Sequence, residues 1–343
     1  MPYYRAAAHA DAAPSTLERI GVLMVNVGTP DSPSYFAVQR FLREFLGDRR
    51  VIKTPRLIWW PLLYGAVLPF RPLSTARKYR KIWTEDGSPL AVYSRRLADK
   101  IAELLQSASG DQVRVALGMN YGNPSLDQAV ETLAEQNVKR LLVLPLFPQY
   151  CSSTTGSIFD RASRALQRWR WLPETRFVSD YHDDAGYIGA LCARILEHWA
   201  QAGERSHLLF SYHCTPAADA PDGDQTQTRA EATTRLVVAR LGLAAGEWSH
   251  CYQSRCGGTL WLQPDAEDAL KALAKRGLSK LSVISPSFAV DCLETLEEVA
   301  IEYRDQFLAQ GGERLSLVPA LNDQDLHAEV LASIVRNHLN IWM

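Results

Sequence analysis

The sequence predicts an α/β protein built on parallel sheets covered on both faces, and three observations carry that expectation. Apolar strand-like runs alternate with amphipathic helical segments along the chain, as βα units require. The runs are near-continuous in apolar residues, the pattern of a strand buried on both faces. The alternation also falls into two consecutive sets of similar size, with no low-complexity segment between them.

Taken in order, residues 20–27 form an apolar run closed by Gly28-Thr-Pro30, which reads as a first buried strand. Residues 37–46 have helical spacing. Residues 94–106 and 125–136 are amphipathic helices, the second capped by Ser125. Residues 113–119 and 140–146 complete the first set as strands. The second set places strands at 175–179, 207–211, 247–252 and 281–285, with helices at 185–201, 229–241, 266–276 and 293–310. A crossover near Pro173 is the expected boundary. It divides the chain into a tail (1–18), a first domain (19–173), a second domain (174–321) and a C-terminal helix (322–343).

Composition excludes several classes. Lys plus Arg number 37 against 38 for Asp plus Glu, so there is no basic footprint for nucleic acid. The Ala-rich N-terminus has no apolar core of a secretory signal, which predicts a cytoplasmic, reducing setting without disulfides. Six cysteines form no C-x-x-C pair, and Cys214, Cys251 and Cys256 match no standard cluster spacing, so no iron–sulfur cluster is expected. There is no G-x-G-x-x-G, P-loop or G-x-S-x-G motif. The uncharged run 57–70 is shorter than the roughly 20 residues a spanning helix needs, and Pro61 and Pro69 interrupt it. A core helix or an exposed lip touching a membrane surface both fit it.

Chemistry concentrates in two places. Glu294, Glu298 and Glu302 recur every four residues in a helical segment, stacking three carboxylates along one face. Like charges so spaced repel by a few tenths of a kcal/mol per pair, so they face water or hold a cation. The run Leu208-Leu-Phe210-Ser-Tyr212-His213 reads as a strand ending in a histidine, and strand carboxyl ends face the ligand crevice of parallel sheets. A solvated face and a structural histidine explain each feature alone. Together they point to a site for a divalent metal, with His213 as base or ligand.

The chain resembles the ferrochelatases, enzymes that insert ferrous iron into a porphyrin, and most closely the bacterial protoporphyrin type. The motifs are Asn26-Val-Gly-Thr-Pro30, Gly87-Ser-Pro-Leu90, Gly118-Met-Asn-Tyr-Gly122, Leu144-Pro-Leu-Phe-Pro-Gln-Tyr150, Ser211-Tyr-His213, Tyr252-Gln-Ser-Arg255, Trp261-Leu-Gln-Pro264 and Asp291-Cys-Leu-Glu-Thr-Leu-Glu-Glu298. The resemblance implies two related Rossmann-like chelatase domains, each a four-stranded parallel sheet flanked by helices, with the active-site cleft between them. It implies His213 and Glu294 as the catalytic pair, and His213, Glu294, Glu298 and Glu302 as metal residues. Arg71, Ser88, Tyr121, Tyr150, Trp261 and Phe288 would contact the porphyrin, and segment 57–70 would be an active-site lip with peripheral membrane contact. The implied partners are protoporphyrin IX and ferrous iron, with no further cofactor.

Cys214 stands where the family usually has glycine or another small residue, Cys256 replaces a common apolar residue, and Ser287 replaces the usual glycine before Phe288. Coproporphyrin III is the alternative substrate, and a non-catalytic tetrapyrrole- or haem-binding protein the alternative class. A cobalt or nickel chelatase for sirohydrochlorin fits less well, because its many-carboxylate substrate needs a more basic cleft.

Overall fold

The computed structural model describes residues 19–255 and 260–342, so the expected tail and Cys256 lie outside the described residues. The chain divides into two compact units, the first from 19–146, 152–179 and 323–342, the second from 147–151 and 180–322.

In the first unit, strands β1 (Arg19–Thr29), β2 (Val113–Gly122), β3 (Val138–Pro145) and β4 (Glu174–Phe177) form one parallel sheet in the order β2-β1-β3-β4. Ile20 and Val22 through Val25 are fully buried, which is why β1 reads as an unbroken apolar run. Ser125 and Gln128 form a reciprocal capping box that starts the helix Leu126–Glu135. Gly28 takes φ +102°, and a Cβ there would overlap the carbonyl oxygen of Tyr121 on the neighbouring strand. Only glycine fits that approach.

Segment 57–70 is an exposed helical lip. The helix Arg56–Leu62 passes through a π-turn, Leu63–Val67, into the helix Leu68–Ile82. Leu57 is 92% exposed and Phe70 70%, which excludes the core-helix reading. Trp59 anchors the lip: it is buried, and its Nε1 donates to the Leu46 carbonyl at 2.8 Å.

In the second unit, β5 (His207–His213), β6 (Trp248–Gln253), β7 (Lys280–Ile284) and β8 (Arg314–Leu317) form a second parallel sheet, ordered β6-β5-β7-β8. It repeats the strand order of the first. Leu209, Cys251, Leu281, Val283 and Leu315 build a core with Ala266, Leu270 and Leu273 of the helix Ala266–Lys275. Val299, Tyr303 and Phe307 of the later helices complete it.

One expectation is corrected. The strand expected at 175–179 does not open the second set; as β4 it closes the first sheet by pairing with β3. The fourth strand of the second sheet is β8, which the sequence did not signal. Both are four-residue edge strands, Glu-Thr-Arg-Phe and Arg-Leu-Ser-Leu, too short and too polar to show a buried apolar run.

Candidate functional site

Where strand order reverses in an open parallel sheet, loops leave to opposite faces and open a crevice at the strand carboxyl ends. In the second sheet that reversal lies between β5 and β7. His213 is the last residue of β5 and the one exposed residue in an otherwise buried strand. Just after β7, Ser285-Pro-Ser-Phe288 turns back, with the Phe288 N–H donating to Ser285 O at 3.2 Å. The hydroxyl of the buried Tyr187 donates to Pro286 O at 2.6 Å and pins that turn.

The two loops meet at the histidine. The His213 backbone N–H donates to Ser287 Oγ at 3.4 Å, and the imidazole lies edge-on to the Phe288 ring with centroids 6.4 Å apart. Its Nδ1 is 2.9 Å from the carbonyl oxygen of Cys214. A carbonyl only accepts, so Nδ1 carries a proton, and in the neutral ring the lone pair that can take a proton or a cation is on Nε2. Cys214 is buried, and its Sγ donates to Thr215 O and Leu262 O. The departures at 214 and 287 are therefore accommodated at the histidine, Ser287 by accepting a strand-end N–H and Cys214 by packing inward. Trp261 comes alongside, because Pro216 bridges to it and Leu262 N donates to Thr215 O at 3.2 Å.

The carboxylates arrive on a helix that is not α. Glu294–Tyr303 is a π-helix of 10 residues, continuing as an α-helix over Arg304–Ala309. The expectation of an α-helix is corrected accordingly, but residues four apart still lie near one face, because a turn of the wider helix takes between four and five residues. Glu302 is half-buried on this helix. Asp291 secures the helix start: its Oδ1 accepts from Thr295 Oγ1 at 2.9 Å, and it exchanges two bonds of 2.7 Å with Asn322.

Gln253, at the end of β6, links the sheet to this helix. Its Oε1 accepts from Ser211 Oγ and Ser285 Oγ, at 2.7 and 3.2 Å. Its Nε2 donates to Glu294 O at 3.1 Å and Glu298 Oε2 at 3.3 Å. Ser254 Oγ donates to Glu298 Oε2 at 2.5 Å, and the Tyr303 hydroxyl to Glu298 Oε1 at 2.9 Å. Burial pushes the Glu298 carboxyl above the usual carboxylate range, against the hydrogen bonds from Ser254 and Tyr303. The nearby Glu294 charge raises it further and His213 opposes that, so all three groups share one electrostatic neighbourhood.

The structure thus brings His213, Phe288, Glu294 and Glu298 together, with Trp261 adjoining. Tyr150 is half-buried in the same unit, its carbonyl accepting from Thr226 Oγ1 at 3.3 Å. Arg71, Ser88 and Tyr121 belong to the first unit. Arg71 is exposed. Ser88 is buried and accepts from Thr29 Oγ1 at 2.8 Å. Tyr121 is buried, with its hydroxyl donating to Asp48 Oδ2 at 2.9 Å, so its polar end is held by the protein itself. Of the cysteines weighed for a cluster, Cys251 lies in the apolar core with its thiol pushed up to about 12 by burial. Asp180, His182 and Asp183 also converge, but Arg229 pairs with Asp180 at 3.1 Å and supplies the positive charge there.

Sequence reading missed Gln253, Ser254 and Tyr303 as parts of the site. The first two stand inside a quoted motif, Tyr252-Gln-Ser-Arg255, but nothing in their spacing shows that they reach a glutamate more than 40 positions away.

A family model described as Ferrochelatase matches residues 19–339. The ferrochelatase of Nitrosococcus oceani is 44% identical over 334 residues, 97% of this chain and 90% of that protein. That of Thioalkalivibrio sulfidiphilus is 46% identical over 325 residues, 95% of this chain and 88% of that one. Among solved structures, SirB from Bacillus subtilis with Fe3+ aligns over 93% of this chain and 95% of its own, with a TM-score of 0.55 and 11% identity. That likeness speaks to the fold, and it agrees with the two related parallel sheets.

Proposed function

Because the chain belongs to the ferrochelatase family, we propose that it inserts ferrous iron into protoporphyrin IX, forming protohaem as the last step of haem synthesis. The observation that carries this reading is the His213 imidazole, whose Nδ1 bond to Cys214 O makes Nε2 the lone-pair nitrogen of the neutral ring, in the electrostatic neighbourhood of Glu294 and Glu298.

Metallation exchanges two inner N–H protons of the macrocycle for one divalent cation. The site must therefore accept protons and replace the water that the iron sheds. Nε2 of His213 accepts a pyrrole proton, and Glu294 supplies oxygen to the incoming ion. Phe288 and Trp261 offer aromatic walls to the flat ring at the carboxyl edge of the second sheet. Arg71, exposed on its helix, suits a propionate through charge-assisted bonds.

The exposed apolar lip at 57–70 favours a substrate with two propionates over one with four, and we read it as a peripheral membrane contact as well. Among the described residues no helix is long and apolar enough to cross a membrane.

The test is anaerobic incubation with ferrous iron and either protoporphyrin IX or coproporphyrin III, followed by the absorbance of the metallated product. Turnover of protoporphyrin is expected. No product from either porphyrin would end the reading, and turnover of coproporphyrin alone would reassign the substrate.

A further inference from the structure

Ser254 has a backbone that serine seldom adopts. Its φ is +65°, the left-handed region that costs any residue with a Cβ. It directly follows β6, which ends at Gln253. In this turn its Oγ lies 2.5 Å from Glu298 Oε2, 44 positions along the chain. Strain of this kind persists where the surroundings over-determine it, and here the surroundings are the carboxylate helix.

The environment of Glu298 is close to saturated. A carboxylate has about four lone-pair sites. Oε2 accepts from Ser254 Oγ and Gln253 Nε2, which fills that oxygen. Oε1 accepts from the Tyr303 hydroxyl at 2.9 Å, which leaves one site. Gln253 has no freedom to withdraw by flipping its amide, because a flip would turn its Oε1 toward the Glu294 carbonyl and the Glu298 carboxylate, which only accept. Glu294 and Glu298, equivalent in the sequence pattern, thus differ in the fold. Glu298 has its position and its free valence set by three neighbours.

We propose that Ser254 and Tyr303 are positioning residues that hold Glu298 as a single-site acceptor behind the His213 and Glu294 pair, unable to chelate a cation through both oxygens. This rests on the function proposed above. Without the serine hydroxyl the carboxylate has a free lone pair on each oxygen and turns to a second geometry, so turnover suffers while the porphyrin is held as before.

The test separates hydroxyl from backbone. Ser254→Ala keeps the strained turn and loses the hydroxyl; Ser254→Gly relieves the turn and loses the same hydroxyl. Each is assayed with ferrous iron and protoporphyrin IX, alongside thermal melting and porphyrin-binding stoichiometry by fluorescence. Both variants are expected to lose about tenfold or more in kcat. Porphyrin KM should stay within twofold, stoichiometry at wild-type level, and Ser254→Gly should melt above Ser254→Ala because it alone relieves the turn. Tyr303→Phe is expected to lower kcat in the same direction. Wild-type kcat in Ser254→Gly overturns the proposal, as does a loss in both variants that merely follows lost stability or lost binding capacity. A wild-type protein that inserts no iron sinks the proposed function instead, so the two failures are distinguishable.

Discussion

The hydroxyl of Tyr303 donates to the carboxylate of Glu298 at 2.9 Å, across five residues of one helix. In an α-helix, side chains five residues apart point about 140° away from each other. The wider π-turn makes this pair neighbours. The same stretch turns Glu298 to the site while Val299 and Tyr303 pack into the core. Removing the hydroxyl takes a hydrogen bond away from a half-buried carboxylate. Tyr303→Phe should therefore destabilise the fold by about 1–3 kcal/mol in urea unfolding. An unchanged midpoint would mean that the bond contributes nothing.

The raised carboxyl of Glu298 has a pH signature. Folded Glu298 holds its proton to higher pH than the unfolded chain does, because burial disfavours the charge. The folded state then binds more protons in the window that opens at the ordinary carboxylate value and ends at the raised one. Stability from this group is full below that window and is lost as pH rises through it. Glu298→Gln lacks the effect. Its melting temperature should gain on wild type as pH climbs from about 4 toward neutrality. A variant that falls further behind wild type over that range would contradict the assignment.

Removing the imidazole tests the centre of the site. His213→Ala should lower iron insertion by about 10²–10⁴-fold, the usual contribution of a positioned base. Porphyrin binding, followed by fluorescence, should survive because Phe288 and Trp261 remain. Substantial turnover in this variant would remove His213 from the chemistry.

Gly28 tests the first sheet. With φ +102° and the Tyr121 carbonyl against it, Gly28→Ala should cost about 3 kcal/mol or more, or abolish soluble expression. Gly65, in the lip, has nothing within 4 Å of an added Cβ and serves as the control. Gly65→Ala should leave stability within about 0.5 kcal/mol.

The lip makes a separate prediction. Leu57 and Ile58 are 92% and 63% exposed, and Arg71, Arg77 and Arg80 lie exposed on the helix that follows. Changing both to serine should shift stability by less than about 0.5 kcal/mol. Co-sedimentation with vesicles of anionic phospholipid should drop. Equal binding by the double variant would sever the lip from any membrane contact.

Much of the fold was legible because the interior strands carry long apolar runs. β1, β3 and β5 are buried on both faces, and burial writes itself into composition. The edge strands β4 and β8 were misassigned or missed because four residues with at most one of them buried leave no such record. Of the site, His213 and the glutamates were visible as chemistry out of place: a histidine closing an apolar run and carboxylates repeated on a helix.

By itself, then, the sequence determined the class of fold, the family and the residue types at the chemical centre, since hydrophobic pattern and local motif are properties of neighbouring positions. The tertiary structure alone decided that the helix is π, that the imidazole presents Nε2, and that Glu298 is held by Gln253, Ser254 and Tyr303. The physical reason is that hydrogen bonds to a side chain depend on distance and direction. Those are set only when β5, β6, β7 and the helix that follows pack around one core.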